Sequence, residues 1–330
     1  MKKSLLALAV LGAFAGTASA QSSVTIYGSL DMSVAKSNGG TAPNPGTPGT
    51  SKAWTVQQSN GSRLGFRGNE DLGGGLSAQF QIEHRFTPDT GNTNNALSFW
   101  NGRSYVQLTN ASMGSVYLGR DYTPAFWPAV KSDPFGWDGV GQIGTASYAN
   151  YLTPDVTGSG VRASNTVGFK SASFGGLTVQ GAIGASEGSG LGRNNGFNVE
   201  YAGGPLYAAL GYEKVTKGSN DGNGLTNFAL HYNLGFVKLM GYYAQSKTAL
   251  GTAKNKAFSL GATAPLGSGL VKAMYYRVDP QGASNNRSKI GLGYDYALSK
   301  RTGLYADLGL ARADGLTNNN TYAFGVKHTF

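Results

Sequence analysis

Nine charged side chains stand in short stretches where polar and apolar residues alternate: Arg63, Arg67, Glu83, Arg85, Arg103, Arg162, Lys170, Arg287 and Lys289. Arg63 and Arg67 share a face opposite Leu64 and Phe66. Arg103, Tyr105 and Gln107 oppose Ser104, Val106 and Leu108. Arg162, Ser164, Thr166 and Lys170 oppose Val167 and Phe169, and Arg287, Lys289 and Asp295 oppose Ile290, Leu292 and Tyr294. Arginine stays charged at any physiological pH and offers five donors in a fixed plane. Such a set acts on ions through fixed fields rather than through bond making. Residues for covalent or metal chemistry are scarce. The chain has no Cys, which removes disulfides, thiolate metal sites and thiol nucleophiles. His84, His231 and His328 are far apart, which argues against a histidine metal cluster. His84 follows Glu83, but parity turns the two to opposite faces, so they form no hydrolase pair. Neither an enzyme nor a cofactor is expected.

The elements that position these charges read as strands. Leu76, Ala78, Phe80, Ile82 and Phe86 alternate with Ser77, Gln79, Gln81, Glu83 and Arg85. Leu177, Val179, Gly181, Ile183 and Ala185 alternate with their neighbours, as do Tyr322, Phe324, Val326, His328 and Phe330. This is period 2, and helical period is rare. Sixteen such segments can be laid along the 330 residues. Short Gly- and Pro-bearing connectors, such as Asp71-Leu72-Gly73-Gly74 and Gly203-Gly204-Pro205, alternate with longer polar ones, such as residues 38–51 and 187–194. The longest connector, residues 122–160, is rich in Pro, Gly and aromatics.

Only 13% of residues are charged, against about 25% in ordinary soluble domains. The polar faces are largely Gly, Ser, Thr, Asn and Gln, and Tyr gathers near segment ends. That composition suits a cylinder with lipid outside and water inside, flanked by aromatic girdles. Closure is required because hydrocarbon cannot satisfy a free strand edge. The residues therefore predict an antiparallel transmembrane β-barrel with short turns on one side and long loops on the other. No apolar run of 18 residues follows residue 20, which excludes helical spans. Residues 1–20, with Lys2, Lys3, an apolar stretch and Ala18-Ser19-Ala20, read as a secretory signal peptide. Loss of Lys2 and Lys3 would lower the formal charge from +10 to +8. No basic run is present, and a nucleic-acid partner is not expected.

Several stretches resemble the general porins of beta-proteobacteria, a Gram-negative trimeric family. They are Gln21-Ser22-Ser23-Val24-Thr25-Ile26-Tyr27-Gly28-Ser29-Leu30-Asp31, then residues 62–76 with Arg63-Leu64-Gly65-Phe66-Arg67-Gly68-Asn69-Glu70-Asp71-Leu72-Gly73-Gly74. Tyr117-Leu118-Gly119-Arg120-Asp121, Leu298-Ser299-Lys300-Arg301-Thr302 and the ending Val326-Lys327-His328-Thr329-Phe330 complete the match. The resemblance implies a 16-stranded barrel over residues 21–330, a homotrimer, and a third loop (122–160) folded inward. It implies an outer-membrane general diffusion porin for small hydrophilic solutes and inorganic ions, in contact with outer-membrane lipid and lipopolysaccharide. The family's arginine cluster facing an acidic group maps onto Arg63, Arg162, Arg103 and Glu83 as the constriction. Arg67, Arg85, Lys170, Arg287 and Lys289 are the other lumen-facing charges. Asp133, Asp138 and Asp155 are candidate acidic partners on the third loop, and Arg120 and Asp121 its anchors. Arg predominance at the constriction predicts anion preference. A substrate-specific channel of the same fold, for an organic anion or a sugar, is the rival. It would draw on Tyr122, Phe126, Trp127, Phe135, Trp137, Tyr148 and Tyr151; the alternative is that these pack the loop onto the wall. His231 and His328 are expected at the membrane interface.

Overall fold

A computed structural model describes residues 23–46, 52–185, 187–280 and 286–330. The expected signal peptide lies outside the described residues. Eighteen paired segments form one antiparallel sheet. Two of them, Thr55–Gln57 and Asn92–Thr93, are short pieces within loops. The other sixteen are the wall: β1 (Ser23–Ser37), β2 (Arg63–Gly73), β3 (Leu76–Thr87), β4 (Ser104–Asn110), β5 (Gly114–Tyr122), β6 (Arg162–Ser171), β7 (Leu177–Gly184) and β8 (Arg193–Gly203), followed by β9 (Leu206–Thr216), β10 (Gly224–Asn233), β11 (Lys238–Thr248), β12 (Ala253–Leu266), β13 (Gly269–Pro280), β14 (Arg287–Ala297), β15 (Thr302–Ala313) and β16 (Asn319–Thr329). Each pairs with the next. The ring closes through β1, whose Ser23–Ser29 half pairs with β2 and whose Ser29–Ser37 half pairs with β16. Thr55–Gln57 takes the edge of β1 that β2 leaves free.

Burial along the strands is inverted relative to a water-soluble protein. In β10, Phe228, Leu230 and Tyr232 are 51%, 59% and 48% exposed, whereas Asn227, Ala229 and His231 are buried. Val24, Ile26, Val106, Leu108, Val116 and Leu118 repeat the pattern on other strands. Apolar side chains facing outward and polar ones facing inward are what a barrel in lipid needs. Several short turns occur where Gly supplies a left-handed backbone; Gly73, Gly74 and Gly75 all have positive φ. Leu234-Gly235-Phe236-Val237, between β10 and β11, is a further short turn.

The chain between β5 and β6 enters the barrel and lines its interior. It carries one short helix, α1 (Phe126–Lys131), and a 3₁₀ turn, Gly144–Tyr148. The Asn198 and Asn227 amides donate to the Pro124 and Ala125 carbonyls, and the Tyr242 hydroxyl to the Ser147 carbonyl. Two glycines make this seating possible. A Cβ on Gly309 would stand 2.1 Å from the Val140 oxygen, and one on Gly291 2.1 Å from the Gly141 oxygen. The loop aromatics form a packed series: Tyr122 on Phe126, Phe126 on Trp137, Trp137 on Tyr148, Tyr148 near Tyr151. They belong to one buried cluster with Val215, Leu225, Tyr242 and Tyr276 of the wall. These rings pack the loop onto the wall, and Tyr122, Phe126 and Trp137 also border the interior cavity.

Candidate functional site

The interior holds a cavity of about 610 Å³ lined on the wall by Arg63, Gln81, Glu83, Arg85, Arg103 and Arg162, and on the loop by Trp127, Trp137, Asp138 and Gln142. All four expected constriction residues meet here. Strand register explains why. Arg63 of β2 stands directly across from Arg85 of β3, and Gly65 across from Glu83. Like charges placed opposite each other repel. Glu83 relieves this, because its carboxylate lies 2.8 Å from Arg85 Nε and also accepts the Tyr27 hydroxyl. Arg85 therefore belongs to the cavity itself.

Arg103 makes a two-pronged ion pair with Asp121, at 2.7 and 2.8 Å, and donates to Gln81. Lys170 binds the same carboxylate at 3.0 Å. Asp121 is buried, and it is the acidic lumen group that the sequence does not disclose, since it reads there as a loop anchor. Its signal is parity with Tyr117, which also points inward. Arg120, one residue earlier, does anchor the loop. It binds Asp155 at 2.7 Å and donates to Ser164, Thr157 and the Asn101 carbonyl. The β5–β6 register shifts between Gly119 and Asp121, where Arg120 and Asp121 take different partners.

Arg162, opposite Tyr122 in register, donates through Nη2 to the Tyr122 hydroxyl, which also accepts Arg85 Nη2 at 3.2 Å. Among the described residues, no carboxylate lies within 4.0 Å of Arg63 or Arg162.

The loop carboxylates divide. Asp138 reaches the cavity, where it accepts the Gly61 amide at 3.0 Å. Asp133 does not: it is spent on the Phe135, Trp137 and Ile143 amides, and burial raises its pKa against the pull of those N–H groups. Asp155 is held in the Arg120 network. Burial opposes its ionisation, but Thr157, Arg120 and the Ser164 amide outweigh that and hold its carboxyl below the usual range.

The remaining charges lie elsewhere on the inner face. Arg67 lies 5.5 Å from the Tyr27 ring, Arg287 donates to Asn150, and Lys289 is buried with its ammonium on the Pro45 carbonyl. His231 departs from expectation. It faces inward, 2% exposed, with Nε2 2.9 Å from Ser132 Oγ and its ring stacked on Tyr207. It fixes α1 to the wall instead of facing the membrane interface. His84 lies on the outer face, stacked on Phe99. His328 lies exposed beside Thr302. Among the described residues there is no group of three His, Asp or Glu able to hold a metal.

A sequence profile described as Gram-negative porin matches residues 7–316. The chain is 38% identical to outer membrane porin protein 32 of Delftia acidovorans, over 99% of this chain and 95% of that one. It is 28% identical to an outer membrane porin protein of Bordetella pertussis, with 100% of both chains covered. The solved structure titled anion-selective porin from Comamonas acidovorans superposes with a TM-score of 0.81 at 30% identity, covering 94% of this chain and 100% of that one. A Salmonella typhi OmpF structure shares the fold, with a TM-score of 0.70 at 14% identity, over 93% of this chain and 97% of that one. The closed sixteen-strand wall, its outward apolar face and these matches make the protein an outer-membrane β-barrel of a Gram-negative cell. From end to end the chain belongs to the Gram-negative porin family.

Proposed function

We propose that this porin passes small hydrophilic solutes by diffusion and favours anions, with the arginine-lined cavity between wall and third loop as its constriction. The observation that carries the reading is an imbalance of charge. Four arginines line the cavity against two carboxylates, Glu83 and Asp138, with Asp121 behind Arg103, and among the described residues no carboxylate stands within 4.0 Å of Arg63 or Arg162. The similar Comamonas porin is described as anion-selective. Fixed charge beside a low-dielectric wall focuses its field into the passage. At about 0.15 M salt screening sets in near 8 Å, so charges lining the narrowest section dominate. Phe135, Tyr148 and Tyr151 of the third loop are buried in packing, whereas Tyr122, Phe126, Trp127 and Trp137 border the cavity and are the rings a sugar-specific channel would use.

The test is a reversal potential across a KCl gradient in a planar bilayer. The wild type should prefer chloride, and Arg63→Ala with Arg162→Ala should weaken that preference. A clear cation preference in the wild type refutes the proposal. The same recordings test the proposed trimer, which should enter the membrane as triplets of equal current steps.

A further inference from the structure

The third loop is not alone inside the barrel. Residues 41–46, at the start of the loop between β1 and β2, also turn inward. The Ala42 amide donates to the Thr317 carbonyl, and Ala42 packs against Ala311 and Ala313. The Asn44 side-chain amide, 8% exposed, reaches the Gly309 and Asn319 carbonyls at 3.2 and 3.1 Å and Thr321 Oγ1 at 3.3 Å. Gly309 stands four residues below the end of β15. This segment is therefore seated within the barrel rather than across its rim. Lys289 completes the tether through the Pro45 carbonyl at 3.0 Å. The segment then meets the third loop. A Cβ on Gly46 would stand 2.2 Å from the Gly139 oxygen, and one on Gly144 would stand 3.4 Å from Pro45 Cβ.

Pro45 lines the same cavity as Arg63, Glu83, Arg85 and Arg162. It is held to β14 through Lys289 and to β15 and β16 through Asn44, while Arg63, Arg85 and Arg162 stand on β2, β3 and β6 and Arg103 just before β4. We infer that residues 41–46 form a second jaw of the constriction and that Pro45 borders the permeation path. The passage is then framed by three elements: the arginine wall, the third loop and this segment. Lys289 is 1% exposed, so it serves as a tether and its charge is not presented to passing ions. This inference rests on the reading of the cavity as the pore, and the experiment separates the two.

The chain has no cysteine, so Pro45→Cys supplies its sole thiol. The variant is recorded in a planar bilayer while a small methanethiosulfonate reagent is added. An anionic ethylsulfonate adduct should lower the chloride preference and a cationic trimethylammonium adduct should raise it. Each should cut the current of a pore about 1.5-fold through lost cross-section. Opposite shifts from opposite charges would not arise from loosened packing. A thiol that reacts without changing current or selectivity overturns the inference, as does one shielded from both reagents. If Pro45→Cys does not assemble, Asn44→Ala decides: release of the segment should raise conductance about 1.5-fold, and an unchanged conductance overturns the inference. Arg162→Ala is recorded in parallel. If it shifts selectivity while Pro45 modification is silent, the second jaw falls and the pore reading stands. If Arg162→Ala is silent as well, the pore reading falls.

Discussion

Tyr122 lies face-on to Arg162, with the guanidinium carbon 4.1 Å from the ring centroid, while its hydroxyl accepts a hydrogen bond from the same guanidinium. Arg85 shares that hydroxyl. One phenol thus holds together two cations that would otherwise separate. Tyr122→Phe keeps the stacking on Phe126 but removes the acceptor. Loss of hydrogen bonds to charged donors costs about 1–3 kcal/mol. The two guanidiniums should then spread, and the chloride-to-potassium permeability ratio should fall about twofold at low salt, as fits a field effect. Reversal potentials measure it, and an unchanged ratio would show that Arg85 and Arg162 are held by other means.

Asp121 pairs with both Arg103 and Lys170, which leaves the trio one net positive charge. Asp121→Asn leaves both cations without their carboxylate and adds one positive charge to the lumen. Anion preference should rise while stability falls by roughly 3 kcal/mol, the usual consequence of removing one member of a buried pair. Thermal unfolding in detergent and reversal potentials report the two effects separately. A loss of anion preference would contradict the assignment.

Glu213 of β9 fastens the returning limb of the third loop. One of its oxygens accepts the Tyr151 hydroxyl at 2.6 Å, the Thr153 hydroxyl at 2.7 Å and the Asn194 amide at 2.5 Å. Glu213→Ala orphans all three donors in a buried place, at about 1–3 kcal/mol. The loop should fluctuate, and open-channel current noise should grow with little change in ion preference, because Glu213 stands outside the arginine cavity. Quiet recordings from the variant would place the loop's anchor elsewhere.

The Asp155–Arg120 pair sets an acid limit on that loop. The Asp155 carboxyl is held below its ordinary value of 3.8, so the folded state binds its proton less readily than the unfolded chain does. Its stabilisation is therefore complete above that ordinary value and disappears as pH falls through the lower folded value. Channel noise should rise on acidification below about pH 4 and stay flat toward alkaline pH. Asp155→Asn should be noisier at neutral pH and lose the acid-side step, which noise recorded against pH would reveal.

Period-2 alternation carries most of the site. Arg63, Glu83, Arg103 and Arg162 sit in or beside regular strands, where parity alone selects the inner face, and they converge on one cavity. It fails where the strand is irregular or absent. Asp121 keeps the parity of Tyr117 but stands where β5 runs into the long loop, so it reads as a loop anchor. Asp133 and Asp155 lie in a loop, where backbone amides compete for any carboxylate and no periodicity says which wins. His231 does obey parity, but its place depends on a helix from a distant loop that fills the space before it. The inward course of residues 41–46 leaves no repeating pattern to read.

Closure at Gly28 carries a consequence for biogenesis. The Gly28 amide and carbonyl exchange hydrogen bonds with Phe330, and Ser29 lies opposite Thr329, three hundred residues away along the polypeptide. Seam formation is thus the most non-local event available to this molecule, and such pairings come slowly. A nascent chain halted before β16 would display two raw edges, each a template for a foreign strand. Insertion into the bilayer must therefore wait for the final strand, which makes escort of the unsealed sheet across the periplasm a requirement of the architecture itself.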